Sequence, residues 1–377
     1  MDPVLRLLRD LVAIDSVNPS LASGGAGEAA VAERIALALG EAGLDVQVTE
    51  ASPGRPNVVG VLDGRAPGRS LMLCGHMDTV GVEGLTAPFD PVERDGRLYG
   101  RGAQDMKSGL AAMIDAAARV AAGGGLETGR LVVAAVADEE YASVGADALV
   151  RDHMAAGAVV TEPTNLAVAT GHKGFEWVEV ETRGRAAHGS RPTDGRDAIL
   201  CMGRVLTRLE AINARLMMGP RHPRLGTASL HASTIGGGRE LSVYPDRCRL
   251  RFERRTLMGE PPDVGLTEMR AALDELAKED TEFEASASQL FSRPAYEIPD
   301  DHPVCRALVQ VLRGRGRDAE PTGMSFWTDA AILGRAGTPA VLFGPSGAGL
   351  HGTEEYVEIE SVLVCRDVLV DLARTFC

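Results

Sequence analysis

Ser70-Leu71-Met72-Leu73-Cys74-Gly75-His76-Met77-Asp78 decides the reading of this chain: an apolar run breaks off into a glycine, a histidine and an acid. A short apolar run bounded by turn-forming residues predicts a buried strand. The arrangement recurs at residues 131–137, which run into Asp138-Glu139-Glu140, and at Ala158-Val159-Val160, which lead to Glu162-Pro163-Thr164. Strands are also predicted at 46–48 and 57–62. Helices fall between them. Leu5, Leu8, Leu11 and Val12 share one helical face, as do Val31, Ile35 and Leu39 within residues 29–42, with Gly43 as the stop. Lys107 to Ala122 reads as an Ala-rich helix closed by Gly123-Gly124-Gly125. Helix alternating with buried strand is the α/β pattern, whose ligand sites lie beyond the carboxyl ends of the strands. The histidine and the acids fall at those ends.

From Gly174 the texture changes to alternation, with Trp177, Val178 and Val180 among Glu176, Glu179 and Glu181. A helix over 197–212, strands over 229–235 and 248–252 and a helix over 266–278 follow. This β-α-β-β-α order predicts an α+β module inserted into the first domain, the chain returning near Ser292-Arg293-Pro294. The expected limits are 1–173 and 292–377 for the two parts of the first domain and 174–291 for the insert, and a chain of 377 residues suits two domains. Residues 22–27 read as a solvated loop, and no internal repeat is found.

A formal net charge of −14 argues against a nucleic-acid partner, because binding phosphates takes clustered Lys and Arg. Small molecules or peptides are the expected partners. Cys74, Cys201, Cys248, Cys305, Cys365 and Cys377 show no C-x-x-C spacing, so they are expected to be reduced and mostly buried, not a thiolate zinc site or a redox pair. Met1-Asp2-Pro3-Val4 lacks a basic leader, and no run of about 18 apolar residues follows. A cytoplasmic protein with no membrane span is expected.

The polar residues at the strand ends are oxygen and imidazole donors, the types that hold divalent metals. In His76-Met77-Asp78 the aspartate can accept from the second ring nitrogen of a metal-bound imidazole, although a lone histidine after a strand can equally be structural. Asp105 follows the turn Gly100-Arg101-Gly102 and precedes a helix, where a short carboxylate can cap the helix or bridge two cations. That turn lacks the third glycine of a dinucleotide fingerprint. Of Glu139 and Glu140, one can ligate a metal while the other takes a proton from a water; a solvated acidic loop is the plain alternative. Glu162 ends another strand, and His351 follows the Gly-rich stretch from Gly344 to Gly349. Gly344-Pro345-Ser346-Gly347-Ala348 is not a G-x-S-x-G elbow, which argues against a serine hydrolase.

Two longer matches join these residues. Gly75-His76-Met77-Asp78-Thr79-Val80 fits G-H-x-D-x-V, and Tyr99-Gly100-Arg101-Gly102-Ala103-Gln104-Asp105-Met106-Lys107 fits Y-G-R-G-x-x-D-M-K. In these the chain resembles metallopeptidase family M20, the group of acetylornithine deacetylase, succinyl-diaminopimelate desuccinylase, aminoacylase-1 and carboxypeptidase G2, over nearly its whole length. The resemblance implies an α/β, zinc-exopeptidase-like catalytic domain with an inserted α+β, ferredoxin-like lid, and two divalent ions, Zn2+ or Co2+. By the same resemblance His76 and Glu162 hold one ion, Glu140 and His351 the other, and Asp105 bridges them. Glu139 is then the general base, with Asp78 in the catalytic set. Ala186-Ala187-His188-Gly189-Ser190 looks like the lid motif, which makes His188 the donor to the oxyanion, often across a homodimer formed by the lids. Arg255 looks like the lid arginine that binds a substrate carboxylate.

Two departures stand out: Met258 where proline is common, and Ser242 where many relatives carry asparagine. Glu162 leans toward the deacylase and carboxypeptidase branch. His153, His172, His222, His231 and His302 match no ligand role and are expected on the surface or in loops. The implied activity is hydrolysis of an N-acyl amino acid, acetylornithine deacetylase-like. Desuccinylase or glutamate-releasing carboxypeptidase activity is the alternative within the family. A catalytically silent binding protein is the alternative of another class, against which the intact metal and base set counts.

Overall fold

Buried Val, Leu and Ala runs pair into the central sheet of the first unit. The computed structural model describes residues 2–377 and divides into two units. The first unit runs to Gly171 and includes Ile298–Gly323 and Thr328–Cys377. Ala66–His76 lies parallel to Thr128–Val136 on one side, Leu71 facing Leu131 and His76 facing Val136, and parallel to Gly157–Val160 on the other. Ala340–Leu342 extends the parallel set beyond Gly157–Val160. The hairpin Asp45–Ser52 and Arg55–Asp63 closes the opposite side with antiparallel pairing. Parallel strands need helical cover on both faces, which is why their sequences are continuous apolar runs.

Lys107–Ala122 supplies part of that cover and is buried almost all round, so its small residues set how closely it approaches. At Gly109 the approach is closest: a Cβ there would stand 2.0 Å from the carbonyl oxygen of Thr161. Any side chain would push the helix away from the strand end that carries Glu162. No helix among the described residues is long and apolar enough to cross a membrane.

The second unit comprises His172–Glu297 with Met324–Trp327. Its strands lie in the order Ser229–Gly237, Arg247–Thr256, Gly174–Arg183, Glu284–Arg293, all neighbours antiparallel. With the helices Ala198–Met217 and Val264–Glu279 this is the β-α-β-β-α-β arrangement of the ferredoxin-like fold. One sheet face buries Val178, Val180, Leu250 and Phe252 against Met202, Val205 and Met269 of the helices. Alternate residues on the other face pair across strands, Arg249 with Glu181 and Arg251 with Glu179, each at 2.9 Å.

The unit runs past the expected 291 and takes in Met324–Trp327 because of aromatic packing. Trp327 donates its Nε1–H to the carbonyl of Pro294 at 3.1 Å, and its ring stands edge-on to Phe175 and His172. His172 corrects an expectation. It is fully buried at the end of Ala169–His172, its ring 5.7 Å from that of Tyr296. Burial, against no carboxylate partner, lowers its pKa from 6.5 to about 4.

A histidine kept neutral by folding binds its proton more readily in the unfolded chain. Its contribution to stability is therefore complete above pH 6.5 and is lost as the pH falls toward 4. Removing the imidazole by His172→Phe should flatten the pH dependence of unfolding in that window, by up to about 3 kcal/mol. Urea unfolding of both proteins between those pH values checks it; parallel curves would contradict it.

Candidate active site

His76 is the last residue of its strand, and the strand holds its ring in place. Nδ1 lies 3.0 Å from the backbone carbonyl of Asp78, so a proton on Nδ1 is donated there and the Nε2 lone pair turns to the acids. Nε2 is 3.1 Å from Oδ1 of Asp105, 3.9 Å from Glu139 and 3.8 Å from Glu162. The other oxygen of Asp105, Oδ2, is 3.4 Å from Nε2 of His351, which in turn lies 3.2 Å from Oε2 of Glu140. Asp105 thus stands between two imidazoles with one oxygen toward each. The capping alternative for Asp105 fails, since Met106 occupies the cap position of Lys107–Ala122 and no side chain bonds to its first turn.

The electrostatics of this cluster are those of a cation site. Burial first, then the neighbouring acids, pushes Glu139 and Glu162 well above the ordinary carboxylate range, and burial and Asp105 raise Glu140. Hydrogen bonds to Asp105 and Glu140 lift His351 to about 10. Burial opposes charge on His76, yet Asp105 and Asp78 hold its pKa well above normal. Burial likewise opposes charge on Asp105, but His351 and His76 hold it well below. Oε1 of Glu140 is buried with no hydrogen-bond partner. Protons are a poor substitute here for a divalent cation, which would stabilise every one of these carboxylates in its charged form. Two overlapping donor sets, His76 with Glu139 and Glu162 and His76 with Asp105 and Glu140, bring their ligand atoms within 4.8 Å of one another. The donor chemistry fits zinc or a similar transition ion.

The family model described as Peptidase family M20/M25/M40 matches residues 72–375. The chain belongs to this family. As an M20 chain it is a hydrolase of amide or peptide bonds. Its sequence is 32% identical to acetylornithine deacetylase of Myxococcus xanthus, over 87% of this chain and 86% of that one. An M20 family metallo-carboxypeptidase, Sso-CP2 from Sulfolobus solfataricus, has the same fold with a TM-score of 0.82 at 15% identity, covering 100% of this chain and 99% of that one. YXEP of Bacillus subtilis, a dinuclear metal binding peptidase from the M20 family, superposes with a TM-score of 0.73 at 16% identity, over 99% and 97% of the two chains.

Around the carboxylate and imidazole donors lies a further set of buried polar residues. Asp78 was expected to supply the acceptor for the second ring nitrogen of His76; its backbone carbonyl does so at 3.0 Å, and its carboxylate, 3.6 Å from the ring, has further partners. Its oxygens accept from the backbone N–H groups of Glu139 and Glu140, at 3.1 and 3.2 Å, and from Asn18 Nδ2 at 2.7 Å. Asp78 therefore fixes the main chain of the acidic pair. Asn18 also donates to Asp138 at 3.0 Å, and Arg55 joins Asp138 at 2.9 Å to Glu28 at 2.6 Å. Asn18, Glu28 and Arg55 lie far from the motifs in sequence. Their one local signal is a charged residue opening a strand of otherwise apolar character.

Arg55 is buried between two acids, so Arg55→Met strands both carboxylates in a low-dielectric site. A loss of about 3 kcal/mol in unfolding free energy is expected. Urea denaturation measures it, and a loss under about 1 kcal/mol would mean that water reaches these acids.

His188 and Arg255 belong to the second unit. His188 is exposed, its Nδ1 2.8 Å from Ser190 Oγ, and its segment pairs with the Ser242 loop through Gly189 N–H to Ser242 O at 2.8 Å and Tyr244 N–H to Ala187 O at 2.9 Å. Arg255 is half-buried; its Nε donates to Glu253 at 2.7 Å and its guanidinium lies over Phe175.

Proposed function

We propose that this M20 chain is a dinuclear-metal amidohydrolase that cleaves N-acyl amino acids, with acetylornithine the foremost substrate. The observation that carries the reading is Asp105, set with one oxygen toward His76 and the other toward His351. The likeness to acetylornithine deacetylase of Myxococcus xanthus supports the substrate class.

His76 and Glu162 would hold one ion, Glu140 and His351 the other, and Asp105 both. Zn2+ or Co2+ bound there would supply Lewis acidity and would make water acidic enough to attack at neutral pH. Glu139 is the general base: it accepts a proton from the attacking water and delivers it to the departing amine. Asp78 keeps Glu139 in reach by holding its backbone. His188 donates to the oxyanion, an assignment resting on the Ala186 to Ser190 motif.

Arg255 binds the substrate carboxylate. Arg255→Ala should raise KM for carboxylate substrates about tenfold or more and leave kcat nearly unchanged, because a charge-assisted hydrogen bond common to ground and transition states is lost. An unchanged KM removes Arg255 from the site.

The reading includes a homodimer through the second unit, supported by the exposed edge strand Ser229–Gly237 with Ile235 on its surface. It also places the enzyme in the cytoplasm, in keeping with six free cysteines, five of them buried. Amine release from N-acetyl, N-succinyl and N-acyl-glutamate substrates, by zinc- or cobalt-loaded protein against chelator-treated protein, tests the function. Metal-dependent release from the N-acetyl members is expected. Preference for succinyl or glutamate members moves the enzyme to the desuccinylase or carboxypeptidase branch, and no release from any member favours a silent binding protein.

A further inference from the structure

Three ligand-bearing loops of the centre meet at one buried arginine. Arg101 is 2% exposed and uses each side of its guanidinium on a different segment. Nε donates to the carbonyl of Gly81 at 3.2 Å, on the loop that follows His76. Nη2 donates to the carbonyl of Gly352 at 2.9 Å, next to His351. Nη1 donates to Glu355 at 2.6 Å. Arg101 itself sits on the loop that presents Asp105.

Glu355, also 2% exposed, completes the arrangement from the other side. Oε2, which takes Arg101, also accepts the N–H of Gly102 at 3.0 Å. Oε1 accepts the N–H groups of Gln104 at 2.8 Å and of Asp105 at 3.0 Å. One carboxylate thus organises the whole turn and holds the backbone of the residue that faces both imidazoles. Burying such a pair is costly, and a well-packed apolar pair would serve stability as well. What an apolar pair cannot do is tie three separate backbones together through directed hydrogen bonds.

We propose that Arg101 and Glu355 form a clamp that sets the loops of His76, Asp105 and His351 against one another, and that binding of the ion between Glu140 and His351 depends on this clamp. The inference rests on the two-ion reading above and makes both residues positioning residues, not ligands. The dependence is unequal because the ligands differ in support. His76 ends a buried strand and Glu162 closely follows another, whereas His351 has a side chain 54% exposed on a loop with a backbone φ of +57°. His351 takes its placement from what holds Gly352.

Arg101→Lys and Glu355→Gln test the clamp in different ways. Lysine offers one point of charge and cannot serve three segments at once. Glutamine turns an NH2 toward backbone donors or leaves them short of an acceptor. The measurement is zinc titration of chelator-treated protein against a chromophoric competitor, with circular dichroism and urea unfolding to show that each variant is folded. Wild-type protein should take up two equivalents. In both variants the weaker equivalent should lose about tenfold or more in affinity while the tighter one stays within about threefold.

Wild-type uptake of fewer than two equivalents would overturn the two-ion reading itself. Wild-type uptake of two, with both equivalents unchanged or equally weakened in the folded variants, would overturn the clamp alone. Arg101→Lys keeps the buried charge pair and decides the matter where Glu355→Gln does not fold.

Discussion

Glu139→Ala should lower kcat by about three to four orders of magnitude and leave two metal equivalents bound. The Glu139 carboxylate stands 3.9 Å from His76 and within 4.8 Å of Glu162, while its backbone N–H is held by Asp78 at 3.1 Å. The main chain is therefore fixed and the side chain is left to move a proton. Without bound metal, burial and then the surrounding acids raise its affinity for a proton. Removing the carboxylate leaves Asp105, Glu140, Glu162 and both imidazoles in place, so metal uptake should persist. Steady-state kinetics with metal analysis of the same samples checks both halves. Near wild-type kcat would remove Glu139 as the base, and loss of metal with loss of rate would make it a ligand.

Asp105→Asn should have the second large effect: affinity for one ion is expected to fall by about 100-fold or more and amine release to drop to background. The substitution keeps the shape and one carbonyl oxygen but removes the charge. In the protein that charge is stabilised from both sides, since His351 and His76 overcome burial to hold the carboxyl well below its usual range. A neutral amide can accept from one imidazole and no longer balances two cations. Metal titration and kinetics of the variant test the claim. Two tightly bound equivalents with near wild-type turnover would show that Asp105 does not bridge.

Much of this centre could be read from sequence because each donor sits beside a strong local pattern. The apolar runs before His76, Asp138 and Glu162 are long enough to be buried parallel strands, and the Ala-rich run ending at Gly123 is a helix, Lys107–Ala122, with the bounds its pattern gives. The β-α-β-β-α order of the second unit was legible from the alternation within Gly174–Arg183 and the helices after it, while its ferredoxin-like form came from the family resemblance and its last strand, Glu284–Arg293, was not read. What escaped is chemistry made by contacts between distant residues. Arg55 meets Asp138 across 83 positions, and Arg101 meets Glu355 across 254. No spacing rule reaches that far. Asp78 was read as a partner of the His76 ring, and only the fold shows that its carboxylate accepts from the backbone of Glu139 and Glu140. His172 looked like a loop histidine because its burial comes from Tyr296 and Trp327, both more than 100 residues away.

The central claim is that two bound ions make this chain an amidase. Its most direct test is stepwise zinc addition to chelator-treated protein, with bound equivalents and amine release from N-acetyl-ornithine read on the same samples. The account predicts no release without metal and a rate that rises to its maximum as the second equivalent binds. Release from metal-free protein, or two bound equivalents with no release from this or any other N-acyl amino acid, would contradict it.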